Sequence, residues 1–149
     1  MLLGNTIEGH TNGFELGGTW EPSTIARVHG SYTWLGKAIG RAPGSADITG
    51  GEGNDPSHMA TLQLFADLRP DVRFNVASRY ISALPRPHLA AYAEADATLQ
   101  WDIRRDLELS VHGQNLLHGQ HPEFTSGQPN LEEYDRSVFV TVTLRLGRS

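Results

Sequence analysis

Successive residues of an extended chain point to opposite faces, so a period of two in polarity marks a strand with one apolar and one polar side. Seven segments of this chain follow that period, and helical periodicity is nearly absent. The first spans Thr6 to Trp20, with Phe14, Leu16, Gly18 and Trp20 against Glu15, Gly17 and Thr19. The second spans Ile25 to Leu35, with Ala26, Val28, Gly30, Tyr32 and Trp34 against Arg27, His29, Ser31 and Thr33. The third, His58 to Leu68, sets Ala60, Leu62, Leu64, Ala66 and Leu68 against Thr61, Gln63, Phe65 and Asp67. The fourth, Val72 to Ser82, sets Val72, Phe74, Val76, Ser78 and Tyr80 against Arg73, Asn75, Ala77 and Arg79. In the fifth, Ala91 to Trp101, a side of Ala93, Ala95, Ala97, Leu99 and Trp101 opposes Tyr92, Glu94, Asp96, Thr98 and Gln100. The sixth sets Leu107, Leu109 and Val111 against Glu108, Ser110 and His112. The seventh sets Val138, Val140, Val142, Leu144 and Leu146 against Phe139, Thr141, Thr143 and Arg145. Within these spans Glu15, Arg27, Asp67, Arg73, Arg79, Glu94, Asp96, Glu108 and Arg145 all fall on one face. The other face is apolar apart from Ser78 and its glycines.

Connections alternate between short and long. Short ones follow Trp20, Leu68 and Trp101; longer ones follow Leu35, Ser82 and Gln114, the long loops being Gly36–Ser57 and Asn115–Asp135. An up-and-down antiparallel meander places all short turns at one end and all long loops at the other. Strands of roughly 9–11 residues match the length a tilted strand needs to cross a bilayer, and exceed the mean of about 5–6 in soluble proteins. Trp20, Tyr32, Trp34, Tyr80 and Trp101 lie on the apolar face near strand ends, where aromatic girdles sit. The expected fold is all-β: an antiparallel meander of about seven long strands forming a partial, open, curled transmembrane barrel. Its charged wall faces water, and its backbone polar groups pair between strands because lipid offers none. A soluble or eight-stranded barrel with an apolar lumen, binding an apolar ligand, has the same period and is the alternative.

The rest of the sequence narrows function mainly by exclusion. With 149 residues the chain is one domain by length, and its formal net charge is −5. Lys37 is the only lysine, and no basic run marks a nucleic-acid partner. The absence of cysteine removes disulfide scaffolds and cysteine-based zinc sites. No apolar run reaches the roughly 20 residues of a membrane helix. Met1-Leu2-Leu3 passes directly into Gly4-Asn5-Thr6, so no secretory leader is read at the start.

Several stretches, in order, resemble the C-terminal barrel portion of TonB-dependent outer-membrane receptors. GNTIEGHTNGFELGGTWEPS resembles the run in which Gly-x-Glu-Leu opens a strand that ends at an aromatic and a proline turn. VHGSYTWL resembles the following Ser-Tyr-Thr strand. SRYISALPRPHLAAYAEADATLQW resembles the next strand, Leu-Pro loop and Asp-bearing strand. LELSVHGQNLLHGQHPEF resembles the Gly-x-Asn-Leu segment before the last extracellular loop, and RSVFVTVTLRL the terminal strand. The resemblance implies that residues 1–149 correspond to the last strands of a much longer receptor, without its plug domain and earlier strands. It implies residence in the Gram-negative outer membrane among its lipids. It also implies a TonB-type energy-coupling partner, a plug, and a small-molecule or metal-chelate ligand. Capture of a large scarce nutrient such as a ferric siderophore, cobalamin, haem or glycan follows from it, with the barrel as scaffold.

Chemistry-bearing clusters are sparse. His118 and His121, with His112 and His58 elsewhere, lack a third ligand at defined spacing, so a solvated loop accounts for them and no metal site is expected. Glu94 with Asp96, or Glu108 nearby, suits a polar wall paired to Arg73, Arg79 or Arg27 better than an acid–base pair. Ser31, Ser78 and Ser110 have no nucleophile context. Gly50-Gly51-Glu52-Gly53 lacks the lysine and helix of a phosphate loop. No catalytic residue and no cofactor is expected, and the chain is read as a non-enzyme.

Overall fold

The computed structural model describes residues 6–44, 55–85, 88–117, 122–124, 132–133 and 135–146. Its elements are strands: β1 (Ile7–Ser23), β2 (Ala26–Arg41), β3 (His58–Arg69), β4 (Val72–Ile81), β5 (Tyr92–Arg104), β6 (Leu107–Gln114), β7 (Pro122–Phe124), β8 (Glu132–Glu133) and β9 (Ser137–Leu144). Seven of them form one sheet in the order β1-β2-β3-β4-β5-β6-β9, with antiparallel pairing at every step. The sheet is open, as the alternation predicts. β7 and β8 pair as a small separate hairpin within the last long connection, an element the polar sequence of that loop did not announce.

β1 and β2, of 17 and 16 residues, outgrow their neighbours. β2 runs on to Arg41, so the first long loop is shorter than the sequence suggested. The extension pairs Ile7 with Arg41 and Gly13 with Leu35 in unbroken register. Glycines at positions 9, 13, 36 and 40 carry no side-chain pattern, which hid it. At Gly13 a side chain is barred by close backbone approach: a Cβ there would lie 2.5 Å from the Trp34 carbonyl oxygen. Tight turns at Thr24-Ile25, Pro70-Asp71 and Arg105-Asp106 gather at one end of the sheet. The connection between β4 and β5 is pinned by a bridge in which the Leu84 and Leu89 amides each donate to the other's carbonyl, at 3.0 and 3.1 Å.

Directly opposed residues of an antiparallel pair share a face. Across the sheet the register therefore builds two continuous surfaces. One is apolar for nine residues per strand: Ala60 to Leu68 on β3, Val72 to Tyr80 on β4 and Ala93 to Trp101 on β5. Nine residues span about 30 Å along a strand, or about 23 Å of height at a tilt near 40°, close to the roughly 25 Å apolar band of outer-membrane barrels. Above the band, this face of the β1–β2 hairpin turns polar, with Glu8, His10 and Asn12 on β1. His58 also lies on this face, at the band's edge. The Tyr32 hydroxyl and His58 Nδ1 are 2.7 Å apart there.

No apolar core exists among the described residues. Leu89 is the one buried hydrophobic side chain, whereas Leu62 is 52 % exposed, Val140 60 % and Trp20 67 %. The chain exposes 11087 Å², against about 7,500 Å² for a compact globule of its mass. The soluble-barrel alternative needs Leu62, Leu64, Val140 and Val142 to converge inside; the structure turns that face outward.

Candidate functional site: the polar wall

The second surface is a polar wall, and the register arranges it in rows. One row runs Gly17, Ser31, Thr61, Arg79, Glu94 across β1 to β5. Two positions lower, Arg27, Phe65, Asn75, Thr98, His112 and Phe139 cross β2 to β9, with the His29, Gln63, Ala77, Asp96 row between. Lower again come Asp67, Arg73, Gln100, Ser110 and Thr141. Ion pairs form between adjacent strands. Arg79 meets the buried Glu94 at 2.5 Å, Arg73 meets Asp102 at 2.9 Å, and Arg145 meets Glu108 at 3.0 Å. Arg27 pairs with Glu21 at 2.9 Å, and Lys37 with Asp55. Glu108 also accepts from the Gln100 side-chain amide at 2.7 Å and from the Ser110 hydroxyl at 3.3 Å. Stacking completes the wall. The His112 and Phe139 rings lie 4.7 Å apart at 17°, and the Arg79 guanidinium sits over the Tyr92 ring at 5.9 Å.

A cavity of about 550 Å³ opens on this wall, lined among others by Gln63, Arg79, Glu94, Asp96, Gln114 and Asn115. Asn115 adopts a left-handed backbone, φ 54°. This conformation closes the chain over the end of β6, and the Asn115 amide donates to Asp96 Oδ1 at 3.0 Å.

The carboxylates read from the sequence as wall residues are on the wall, but only Glu94 has one of the arginines expected for it, since Arg73 and Arg27 pair with Asp102 and Glu21 instead. Glu94 pairs with Arg79 and Glu108 with Arg145, but Asp96 takes a backbone amide rather than an arginine. Asn115 was missed because nothing in the sequence marks a loop residue that folds back onto a strand. The histidines do not converge: His58 is on the apolar face and His112 on the wall, 3.2 Å from Thr98 Oγ1. Among the described residues no His, Asp and Glu side chains gather as a metal-holding group. His118, His121 and Gly50–Gly53 lie outside the described residues. The serines have structural partners: Ser31 bonds Thr61 at 2.7 Å, Ser78 donates to the Leu62 carbonyl at 3.3 Å, and Ser110 donates to Glu108.

On the apolar face two aromatic belts bound the band. Phe14, Tyr32 and Trp34 cluster at the loop end, with Phe14 5.9 and 5.8 Å from the other two rings. At the turn end the Trp101 indole donates to Asp71 at 3.1 Å. The apolar face thus carries a greasy band between amphipathic belts, backed by an ion-paired wall.

Comparison with solved structures finds a similar fold. The chain has the fold of a segment of antiparallel barrel wall. It is similar to the ferric-catecholate import receptor Fiu of E. coli K12 in its closed form, with a TM-score of 0.71 and 18 % identity. The match covers 91 % of this chain and 21 % of that receptor, so the chain spans about a fifth of its length. No family model and no curated protein matches the sequence. At this identity the likeness is one of fold.

Proposed function

We propose that the chain is a stretch of barrel wall from an outer-membrane, TonB-dependent uptake receptor. The observation that carries this reading is the inverted burial: a belted apolar face with no protein to cover it, behind a wall whose arginines are matched by carboxylates. Lipid is the solvent that suits the first surface, and a watery lumen suits the second. Residues 1–149 correspond to C-terminal strands of such a receptor, and the plug and an energy-coupling partner gate transport in the whole assembly. The solute is one of the large scarce nutrients such receptors take, among them ferric siderophores, cobalamin, haem and glycans. The wall holds and guides it without making or breaking a bond.

The experiment is depth-dependent fluorescence quenching. The chain is refolded into vesicles whose phosphatidylcholine carries bromine at defined positions along the acyl chain. Emission from Trp20, Trp34 and Trp101 should be quenched most strongly by bromines near the headgroup and least by those near the bilayer centre. A chain that stays monodisperse in plain buffer, with unquenched emission in every vesicle, defeats the membrane reading and restores the soluble barrel.

A further inference from the structure

We propose that the wall cavity around Glu94 and Asp96 takes a neutral, polyhydroxylated ligand of carbohydrate type and disfavours an anionic metal chelate. This rests on the uptake reading and adds the ligand's chemistry to it.

Charge is the first reason. Arg27, Lys37, Arg73, Arg79 and Arg145 are each matched by a carboxylate, while Arg41, farther up the same face of β2, has no ion pair among the described residues. Carboxylates are left over: Glu15, Asp67 and Asp96 carry no ion pair among the described residues. An anion entering the cavity meets an acidic surplus, and Arg79, the cation that lines it, is already paired with Glu94, which penalises an anion relative to a neutral solute.

Hydrogen-bonding chemistry is the second reason. The cavity offers the Asp96 carboxylate as an acceptor beside side-chain amides of Gln63, Gln114 and Asn115, which both donate and accept, with Arg79 already engaged by the buried Glu94. Adjacent hydroxyls of a sugar ring, each donor and acceptor at once, match such an array. Its volume of about 550 Å³ falls within the usual small-molecule range of about 300–1,000 Å³.

The third reason is an apolar platform beside the polar groups. Phe139, 45 % exposed on the wall, is stacked on His112 in the row below Asp96. The C–H face of a pyranose can rest on such a ring pair while its hydroxyls reach the cavity. Aromatic residues on a surface otherwise made of short polar and charged side chains have no lipid to meet there.

The test is calorimetric titration of the vesicle-refolded chain with maltotriose, raffinose, chitotriose and the trianionic ferric tris-catecholate complex. At least one neutral trisaccharide should bind at least tenfold more tightly than the chelate, with little change between low and high salt. Phe139→Ala and Asp96→Ala should each weaken that sugar at least fivefold, and Asp96→Lys should strengthen chelate binding at least tenfold. Unchanged tryptophan quenching certifies that each variant is inserted. Chelate binding as tight as the best sugar, no binding by any sugar, or sugar binding that ignores both alanine substitutions overturns the proposal. Loss of quenching in the parent chain defeats the uptake reading instead, so the two failures are separable.

Discussion

Arg79 and Glu94 make an ion pair on the wall whose two ends lie in different environments. Glu94 is buried, its side chain 7 % exposed, while the arginine is 47 % exposed on the polar wall. Removing the arginine strands a buried carboxylate; removing both removes the problem. We expect Arg79→Ala to destabilise the inserted sheet by about 1–2 kcal/mol, below the value for a fully buried pair because water screens the guanidinium. Arg79→Ala with Glu94→Ala should recover most of that loss in urea unfolding of the vesicle-bound chain. A double variant as unstable as the single one would mean that Glu94 is held by something other than the arginine. At this scale the sequence was informative about sidedness. The alternation placed Glu15, Asp67, Glu94, Asp96 and Glu108 on the wall, because strand period is geometric once extended structure is granted, but it read Glu21 and Asp102 as turn residues where the strands run on to carry them. Which carboxylate meets which arginine depends on register, and register follows from turns and hydrophobic matching that one strand alone does not contain.

Among the elements, the β1–β2 hairpin is distinctive because it rises beyond the apolar band. Its upper part, Ile7 to Gly13 against Leu35 to Arg41, has glycines where the rest of the sheet has side chains. Gly13 permits an approach to the Trp34 carbonyl that any Cβ would block, whereas a Cβ at Gly18 meets nothing within 4 Å. Gly13→Val should therefore open the upper hairpin and leave the membrane band paired. Amide hydrogen exchange is expected to quicken at least tenfold over 36–41, with residues 26–34 unchanged. Gly18→Ala should leave both regions as they are. The sequence hid this extension because glycine carries no polarity to alternate. It likewise hid β7 and β8, whose few residues lie in a stretch dominated by polar and turn-forming types. The inner strands β3 and β4 were readable to within a residue, since both of their faces carry side chains with clear preferences, while β5 runs three residues past Trp101 into what read as a turn.

Taken as one body, the molecule has its burial reversed relative to a globular domain. Its exposed area exceeds that of a compact globule by roughly 3,600 Å². Much of the excess is the apolar face, where Leu62, Val138, Val140 and Val142 are all more than half exposed. Stability should accordingly respond to charge on that face in a way no soluble sheet would. Leu64→Arg, at the middle of the band, is expected to cost about 2–4 kcal/mol in vesicles. Gln63→Arg, one residue away on the wall, should cost less than 1 kcal/mol. Urea unfolding of both variants in the same vesicles compares them directly, and equal losses would contradict the assignment of the two faces.

The strand count has a geometric corollary. In a meander each strand reverses the last, so seven of them begin and finish pointing the same way: β1 and β9 both run from the loop end to the turn end. Zipping these margins to each other, or β9 of one molecule to β1 of another standing upright beside it, creates a parallel seam in an otherwise antiparallel cylinder. Only an odd number of intervening strands restores alternation around the circle, which makes parity a selection rule for whatever completes the ring.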